Sequence, residues 1–136
     1  MLTPDETDAI QHQMFAPWIK AMGLRTIKVD ENGADFLLPE NRDLVHGGGV
    51  ICGQALMAAA DTASVLALSA VNGEFRMVTT VDLTAHFIRP APPADVALRI
   101  QIESNGKRMA FVRAEMRPAT GGKLVATATA AFMYLA

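Results

Sequence analysis

A run of 22 weakly polar residues extends from Val50 to Val71 and limits the folds open to this chain. As a helix, the run would span about 30 Å, which matches the thickness of the hydrocarbon core of a membrane. Asp61 lies at its middle, where a charged residue costs about 2.5–3.5 kcal/mol on membrane insertion. The run is therefore predicted to be the buried core helix of a soluble protein, and its central carboxylate needs an explanation of its own.

Length and charge limit what can surround this helix. The chain has 136 residues, of which 51% are hydrophobic and 19% are charged. One domain over residues 1–136 is expected, because domains typically contain about 100–200 residues. The balance of 12 Lys and Arg against 14 Asp and Glu disfavours nucleic acid or an anionic membrane as a partner. A single cysteine and an N-terminus without a signal-peptide pattern predict a cytoplasmic protein.

Turn residues and hydrophobic periodicity predict the other elements. A capping box and an early proline predict a first helix over 5–22, broken or kinked at Pro17. The long apolar run predicts a helix over 50–70 that stops at Asn72-Gly73. The Asn32-Gly33 turn predicts a hairpin, and alternation predicts further strands. The predicted strands cover 24–29, 34–38, 79–89, 96–103, 109–116 and 123–135.

Small side chains on the long helix indicate how the sheet packs against it. Alanines occupy positions 55, 58, 59, 60 and 63, and they would let a sheet approach the helix closely. We therefore predict an α+β fold in which a five- or six-stranded antiparallel sheet wraps one long central helix. The edge strands of such a sheet favour dimerisation.

Two features near this helix could carry chemistry. His46-Gly47-Gly48-Gly49 precedes it, and the N–H groups at a helix N-terminus can bind an oxyanion, although the glycines could equally form only a tight turn. A carboxylate such as Asp61 is costly in an apolar helix unless it is paired, hydrated or functional. Two interpretations remain open: a general base or nucleophile, or a carboxylate held by a neighbouring strand or at a subunit interface.

Several other kinds of site are disfavoured. The three histidines, His12, His46 and His86, lack the spacing of metal ligands, so no metal site is expected. Cys52 is expected to be a packed thiol, because no base for a nucleophile can be identified near it. The motifs of dinucleotide enzymes, P-loop enzymes and α/β-hydrolases do not occur.

Two segments resemble a known family. They are VHGGGVICGQALMAAADTA over 45–63 and TTVDLTAHFIRP over 79–90. They resemble the hotdog-fold acyl-CoA thioesterases, particularly the small phenylacetate-type enzymes and the longer, two-hotdog acyl-CoA thioesterase II, and the resemblance in element order extends over about 24–134. It implies a hotdog fold and hydrolysis of an acyl-CoA to a free acid and CoA without a cofactor. It also implies a homodimer or homotetramer with sites at the subunit interface.

The resemblance further implies roles for individual residues. Asp61 would act as general base or nucleophile, and the Gly48 or Gly49 amide would bind the oxyanion. Thr80 would contact the water or carbonyl, although strict alternation along its strand would instead turn Thr79 towards Asp61. His46 would organise the loop. The implied substrate-binding residues are Gly47, Gln54, Thr79, Arg89 and Arg108.

Two departures from the family pattern keep other functions open. The 15 residues from His46 to Asp61 exceed the spacing in the phenylacetate-type enzymes, and the last-strand Gln of thioesterase II falls at Ala130. One alternative is a hotdog-fold thioester hydratase or dehydratase, which would need a His beside Asp61, from position 46 or 86. The other is a non-catalytic acyl-CoA or acyl-carrier binding protein, in which Arg89 and Arg108 would hold CoA phosphates.

Overall fold

The computed structural model describes residues 1–135, which form six strands and three α-helices. The helices are α1 (Pro4–Met14), α2 (Pro17–Lys20) and α3 (Gly53–Asn72), with a short 3-10 turn at Arg42–Leu44. The strands are β1 (Arg25–Asp30), β2 (Gly33–Leu38), β3 (Val78–Phe87), β4 (Val96–Asn105), β5 (Met109–Pro118) and β6 (Ala126–Tyr134). All six belong to one antiparallel sheet in the order β1-β2-β4-β5-β6-β3. The predicted α+β hotdog arrangement is confirmed.

The predicted first helix is two helices. Thr3 caps α1 through a capping box with Glu6, as the sequence predicts. Phe15 and Ala16 are extended, with ψ angles of 153° and 148°. For Ala16 the reason is Pro17, because a residue directly before proline is disfavoured in the helical region. Pro17 then begins α2. The chain therefore bends sharply at residues 15–16, and this elbow becomes one wall of the site described below.

The central helix begins three residues later than predicted. A bridge between Val45 and Ile51 and a bond from the Cys52 N–H to the Leu44 carbonyl hold residues 45–52 outside the helix. The prediction that α3 begins at residue 50 was therefore wrong. Its end was predicted correctly, because Gly73 terminates the helix with a left-handed φ of 81°.

The small side chains of α3 form the core with the sheet. Ala60 and Ala63 are at most 1% exposed, and large side chains such as Phe36 and Phe132 fill the remaining space from the strands. This confirms the packing inferred from the alanine content. By length and composition α3 could cross a membrane, but 67% of its apolar window is buried inside the fold.

Strand β3 forms one edge of the sheet and contains an irregularity. It pairs with β6, and the register shifts between Thr80 and Asp82, so that Val81 is an extra residue. Such a bulge reverses which side chains face the core. Thr80 faces α3 before the bulge, and Leu83 faces the core after it. The prediction of strict alternation through this strand was wrong for that reason.

An ion pair between β1 and β4 predicts a measurable stability effect. Arg99 contacts Asp30 at 2.8 Å, and both side chains are 29% exposed. Its hydrogen bond lowers the pKa of Asp30 from 3.8 to about 2, so the stabilisation is complete above about pH 4 and is lost as the pH falls through 2. Asp30→Asn is expected to lower the free energy of unfolding by about 1–2 kcal/mol at neutral pH, measured by urea denaturation.

The exposed Arg113–Glu103 pair supplies the control for this prediction. Its side chains are 50% and 48% exposed, and the atoms lie 3.3 Å apart. Glu103→Gln is therefore expected to change stability by less than about 0.5 kcal/mol. Equal effects of the two substitutions, or a loss in Asp30→Asn that does not shrink below about pH 4, would contradict the assignment.

Candidate active site

Asp61 lies on the middle of α3 in the wall of a cavity of about 460 Å³. Its side chain is half-buried. The Thr80 hydroxyl, from the neighbouring edge strand, donates a hydrogen bond to the Asp61 Oδ1 over 2.9 Å. The bulge at Val81 makes this contact geometrically accessible, and it is Thr80 rather than Thr79 that faces Asp61.

The environment of Asp61 favours its neutral form. Burial raises the pKa of this carboxyl above its usual 3.8, and the hydrogen bond from Thr80 partly offsets that rise. A carboxylate with a raised pKa is a stronger base than a solvated one, so it takes a proton from water more readily. The same environment therefore supplies a group suited to general base catalysis.

The rest of the cavity wall is mostly apolar. The elbow contributes the aromatic side chains of Phe15 and Trp18, and the segment before β3 contributes that of Phe75. Thr62 and Thr80 add hydroxyl groups. Asp61 is the only ionisable residue among those that line this cavity. An apolar ligand would therefore place its reacting group beside a single carboxylate.

The glycine loop before α3 is exposed, and its N–H groups donate hydrogen bonds to acceptors within the same loop. The Gly48 N–H donates to the Nδ1 atom of His46 over 2.8 Å, and the Gly49 N–H donates to the His46 carbonyl over 2.9 Å. Both amides that the resemblance suggests as oxyanion donors thus have partners within the loop. The ring and the carbonyl of His46 accept these two bonds within the turn.

The first N–H groups of α3 differ from those of the glycine loop because they have no acceptor in the part of the protein that the structure describes. Cys52 occupies the N-cap position without a side-chain hydrogen bond to the helix. Within residues 1–135, the N–H groups of Gly53 and Gln54 donate to no other protein group. Gly53 packs closely on the Phe87 ring, where a β-carbon would lie 3.2 Å from the ring edge. N–H groups of this kind, at the positive end of a helix, are able to bind an anion.

Sequence reasoning missed Gly53 as a functional candidate. The reason is the helix boundary, since a helix from residue 50 would have placed the triple glycine at its N-terminus. A signal was available, because Gly53 is the one glycine inside the long apolar run. A glycine there weakens a helix interior but is well accommodated at a helix start.

Gly53 and Asp61 do not share a cavity within one chain. They are eight residues apart on the same helix, which is about 12 Å along its axis. Gly53 lines a second cleft of about 340 Å³ together with Phe87 and Arg89. One chain therefore has the Asp61 carboxyl in one cavity and the Gly53 N–H in another.

The remaining predicted residues are dispersed. Gln54 and Thr79 are exposed, and Gly47 lies in the exposed loop beside His46. The Arg89 guanidinium donates to the Leu124 carbonyl, whereas Arg108 lines a separate basic groove with Arg76 and Lys107.

The histidines and Ala130 do not complete the Asp61 cavity. None of the three histidines lines it, and Ala130, where thioesterase II has a glutamine, is buried. Among residues 1–135 no group of three His, Cys, Asp or Glu is placed to hold a metal ion.

Comparison with known proteins decides the family. The sequence model of the thioesterase superfamily matches residues 45–126, a segment that contains Gly53, Asp61 and Thr80. The chain belongs to the thioesterase superfamily. A search of the curated proteins finds no match.

Several solved structures share the fold. A conserved protein from Pseudomonas aeruginosa is 30% identical with a TM-score of 0.80, and the match covers 92% of this chain and 98% of that one. A phenylacetic acid degradation-related protein from Ralstonia eutropha is 24% identical, with a TM-score of 0.80 and coverage of 93% and 97%. A thioesterase from Haemophilus influenzae is 19% identical, with a TM-score of 0.83 and coverage of 98% and 90%. The last two likenesses show the fold alone.

Proposed function

We propose that this member of the thioesterase superfamily hydrolyses acyl-CoA thioesters to a free acid and CoA, with Asp61 as the catalytic residue. The observation that carries the proposal is the Asp61–Thr80 contact in an otherwise apolar cavity. A half-buried carboxylate with a raised pKa and room beside it for an acyl group suits attack on a carbonyl better than a structural role.

The reaction needs only water and the thioester. The Asp61 carboxylate takes a proton from water while the water oxygen bonds to the carbonyl carbon, and the carbonyl oxygen becomes an oxyanion. Collapse of this intermediate breaks the C–S bond, and the departing thiolate receives the proton from Asp61. Direct attack by Asp61, followed by hydrolysis of the resulting anhydride, has the same overall balance.

The oxyanion donor is proposed to be the Gly53 N–H of a second subunit. Strand β3 is an edge strand, and its exposed side chains include Val81 and Phe87, which are 53% and 50% exposed. Unpaired strand edges favour pairing with another chain. An antiparallel pair of β3 strands across a two-fold axis would extend the sheet through a homodimer.

The two ends of β3 explain why such a dimer would complete the site. Thr80, near the first end, contacts Asp61, and Phe87, at the last end, contacts Gly53. Antiparallel pairing places the Thr80 end of one strand beside the Phe87 end of the other. The base of one subunit and the free helix N-terminus of its neighbour would thus meet, and each dimer would contain two sites.

The raised pKa of Asp61 predicts the pH dependence of activity. Only the carboxylate can act as base or nucleophile, so kcat/KM is expected to fall as the pH drops through the raised pKa. Thr80→Val removes the hydrogen bond that lowers this pKa, and the acid limb of the profile is expected to move to higher pH. Thr80→Ser, which keeps the hydroxyl, serves as the control. If the acid limb of the pH profile does not move in Thr80→Val, Thr80 does not lower the pKa of the catalytic group.

Thiol release from a panel of thioesters tests the proposal as a whole. Purified protein is incubated with short, medium, long and aryl acyl-CoAs, and free CoA is followed with a thiol reagent. We expect turnover of at least one of them. Absence of thiol release across the panel would reject hydrolysis and favour a binding protein, whereas hydration of an enoyl-CoA in the same panel would favour a hydratase.

A further inference from the structure

The elbow between α1 and α2 forms the outer wall of the Asp61 cavity. Trp18, on α2, lines the cavity although its side chain is 65% exposed. Phe15 stands beside it at the end of α1. An exposed tryptophan at the rim of an apolar cavity leaves a large apolar surface unpaired, which is the arrangement of a ligand-binding wall.

Apolar side chains attach this wall to the protein core on one side only. Ile19 packs against the core, and Met22, just beyond α2, is 4% exposed. Ala16 offers no side-chain cap to α2, which is only four residues long. The anchoring residues hold α2 in place, while Trp18 points to the cavity from the solvent side.

The charge of the cavity selects against anionic ligands. Neither Lys nor Arg is among the residues that line it, and its one ionisable group is the Asp61 carboxyl. Among the lining residues of one chain, a carboxylate on a bound acyl group would meet the Asp61 carboxylate and no Lys or Arg. An uncharged group meets mainly aromatic and aliphatic side chains.

We propose that Trp18 is the specificity-determining residue of this cavity, closing it around an uncharged, apolar acyl or aryl group and limiting the length of that group. The inference rests on the proposed thioester hydrolysis for its substrate, but its binding step can be measured without turnover. Removal of the Trp18 ring opens the outer end of the cavity, so longer chains gain access and short chains lose their contact.

Fluorescence gives a direct test, because Trp18 is the only tryptophan in the chain. Wild-type protein is titrated with hexanamide, octanamide and phenylacetamide, which carry a carbonyl but neither CoA nor a labile thioester. We expect a blue shift of the emission with each amide, because the ligand covers the exposed ring. Adipamic acid, which matches hexanamide in length but ends in a carboxylate, is expected to need at least about tenfold higher concentration. Equal responses to hexanamide and adipamic acid, or no response to any amide, would overturn the inference.

Substrate preference tests the role of the ring itself. In Trp18→Ala, the ratio of kcat/KM for dodecanoyl-CoA to that for hexanoyl-CoA is expected to rise about tenfold. Ile27→Ala is the matched control, because Ile27 is 53% exposed and lies outside this cavity. An unchanged ratio in Trp18→Ala would contradict the assignment. If the wild-type protein hydrolyses none of the thioesters but still responds to the amides, the proposed function is rejected and the binding role of Trp18 is retained.

Discussion

Asp61→Asn is expected to lower kcat by about 10²–10⁴ with every thioester substrate. The amide has nearly the same size as the carboxyl and can still accept the hydrogen bond from Thr80. It cannot take a proton from water or attack a carbonyl. The loss would therefore report the chemistry of the carboxylate rather than a change in the shape of the cavity, and steady-state thiol release measures it.

The stability of the Asp61→Asn variant shows whether its loss of activity comes from the chemistry or from unfolding. The pKa of Asp61 is raised in the folded protein, so the charged form is penalised there, and native stability falls as the pH rises from 3.8 through the raised value. Asp61→Asn removes the charge, so no loss of stability is expected at neutral pH. A folded Asp61→Asn protein with wild-type turnover would exclude Asp61 as the catalytic group.

Gly53→Pro is expected to lower kcat by about 10²–10³, the usual effect of removing one oxyanion donor. Proline lacks the N–H group, yet it is well tolerated at the first position of a helix. Cys52 already has φ and ψ of −68° and 148°, which suit a residue before proline. The substitution therefore removes the donor with little change to the backbone.

Gly53→Ala is the matched control, because it keeps the N–H group. Its added β-carbon would lie 3.2 Å from the Phe87 ring, so the ring must shift by a few tenths of an ångström. We expect Gly53→Ala to retain most of the turnover that Gly53→Pro loses. Equal losses in the two variants would indicate a packing effect, and the N–H group would then have no role in catalysis.

The fold could be predicted largely from local patterns. The apolar run with its small residues predicted a core helix, and Asp61 stood out because a carboxylate there is costly. The two resembling segments, 45–63 and 79–90, both lie within residues 45–126, which match the thioesterase superfamily. The core helix and the prominence of Asp61 need only periodicity and the cost of burying charge, whereas the family was indicated by the resemblance of these two segments.

Two details of the site could not be read from those patterns. The helix boundary depends on the bridge from Val45 to Ile51, which joins segments across a turn. Without knowledge of this bridge, the sequence does not show that Gly53 begins the helix. The orientation of Thr80 depends on a bulge at Val81, and one extra residue reverses the alternation on which the prediction relied. Both depend on backbone pairing between segments, which the periodicity of a single segment does not report.

A mixed dimer of Asp61→Asn and Gly53→Pro subunits tests most directly whether the base and the oxyanion donor come from different chains. The two variants are co-expressed with different affinity tags, and the heterodimer is isolated by tandem purification. One of its two sites would contain both an intact Asp61 and an intact Gly53, so about half of the wild-type turnover is expected. Turnover no higher than that of the two parent variants would contradict a site that joins the Asp61 of one subunit to the helix N-terminus of the other.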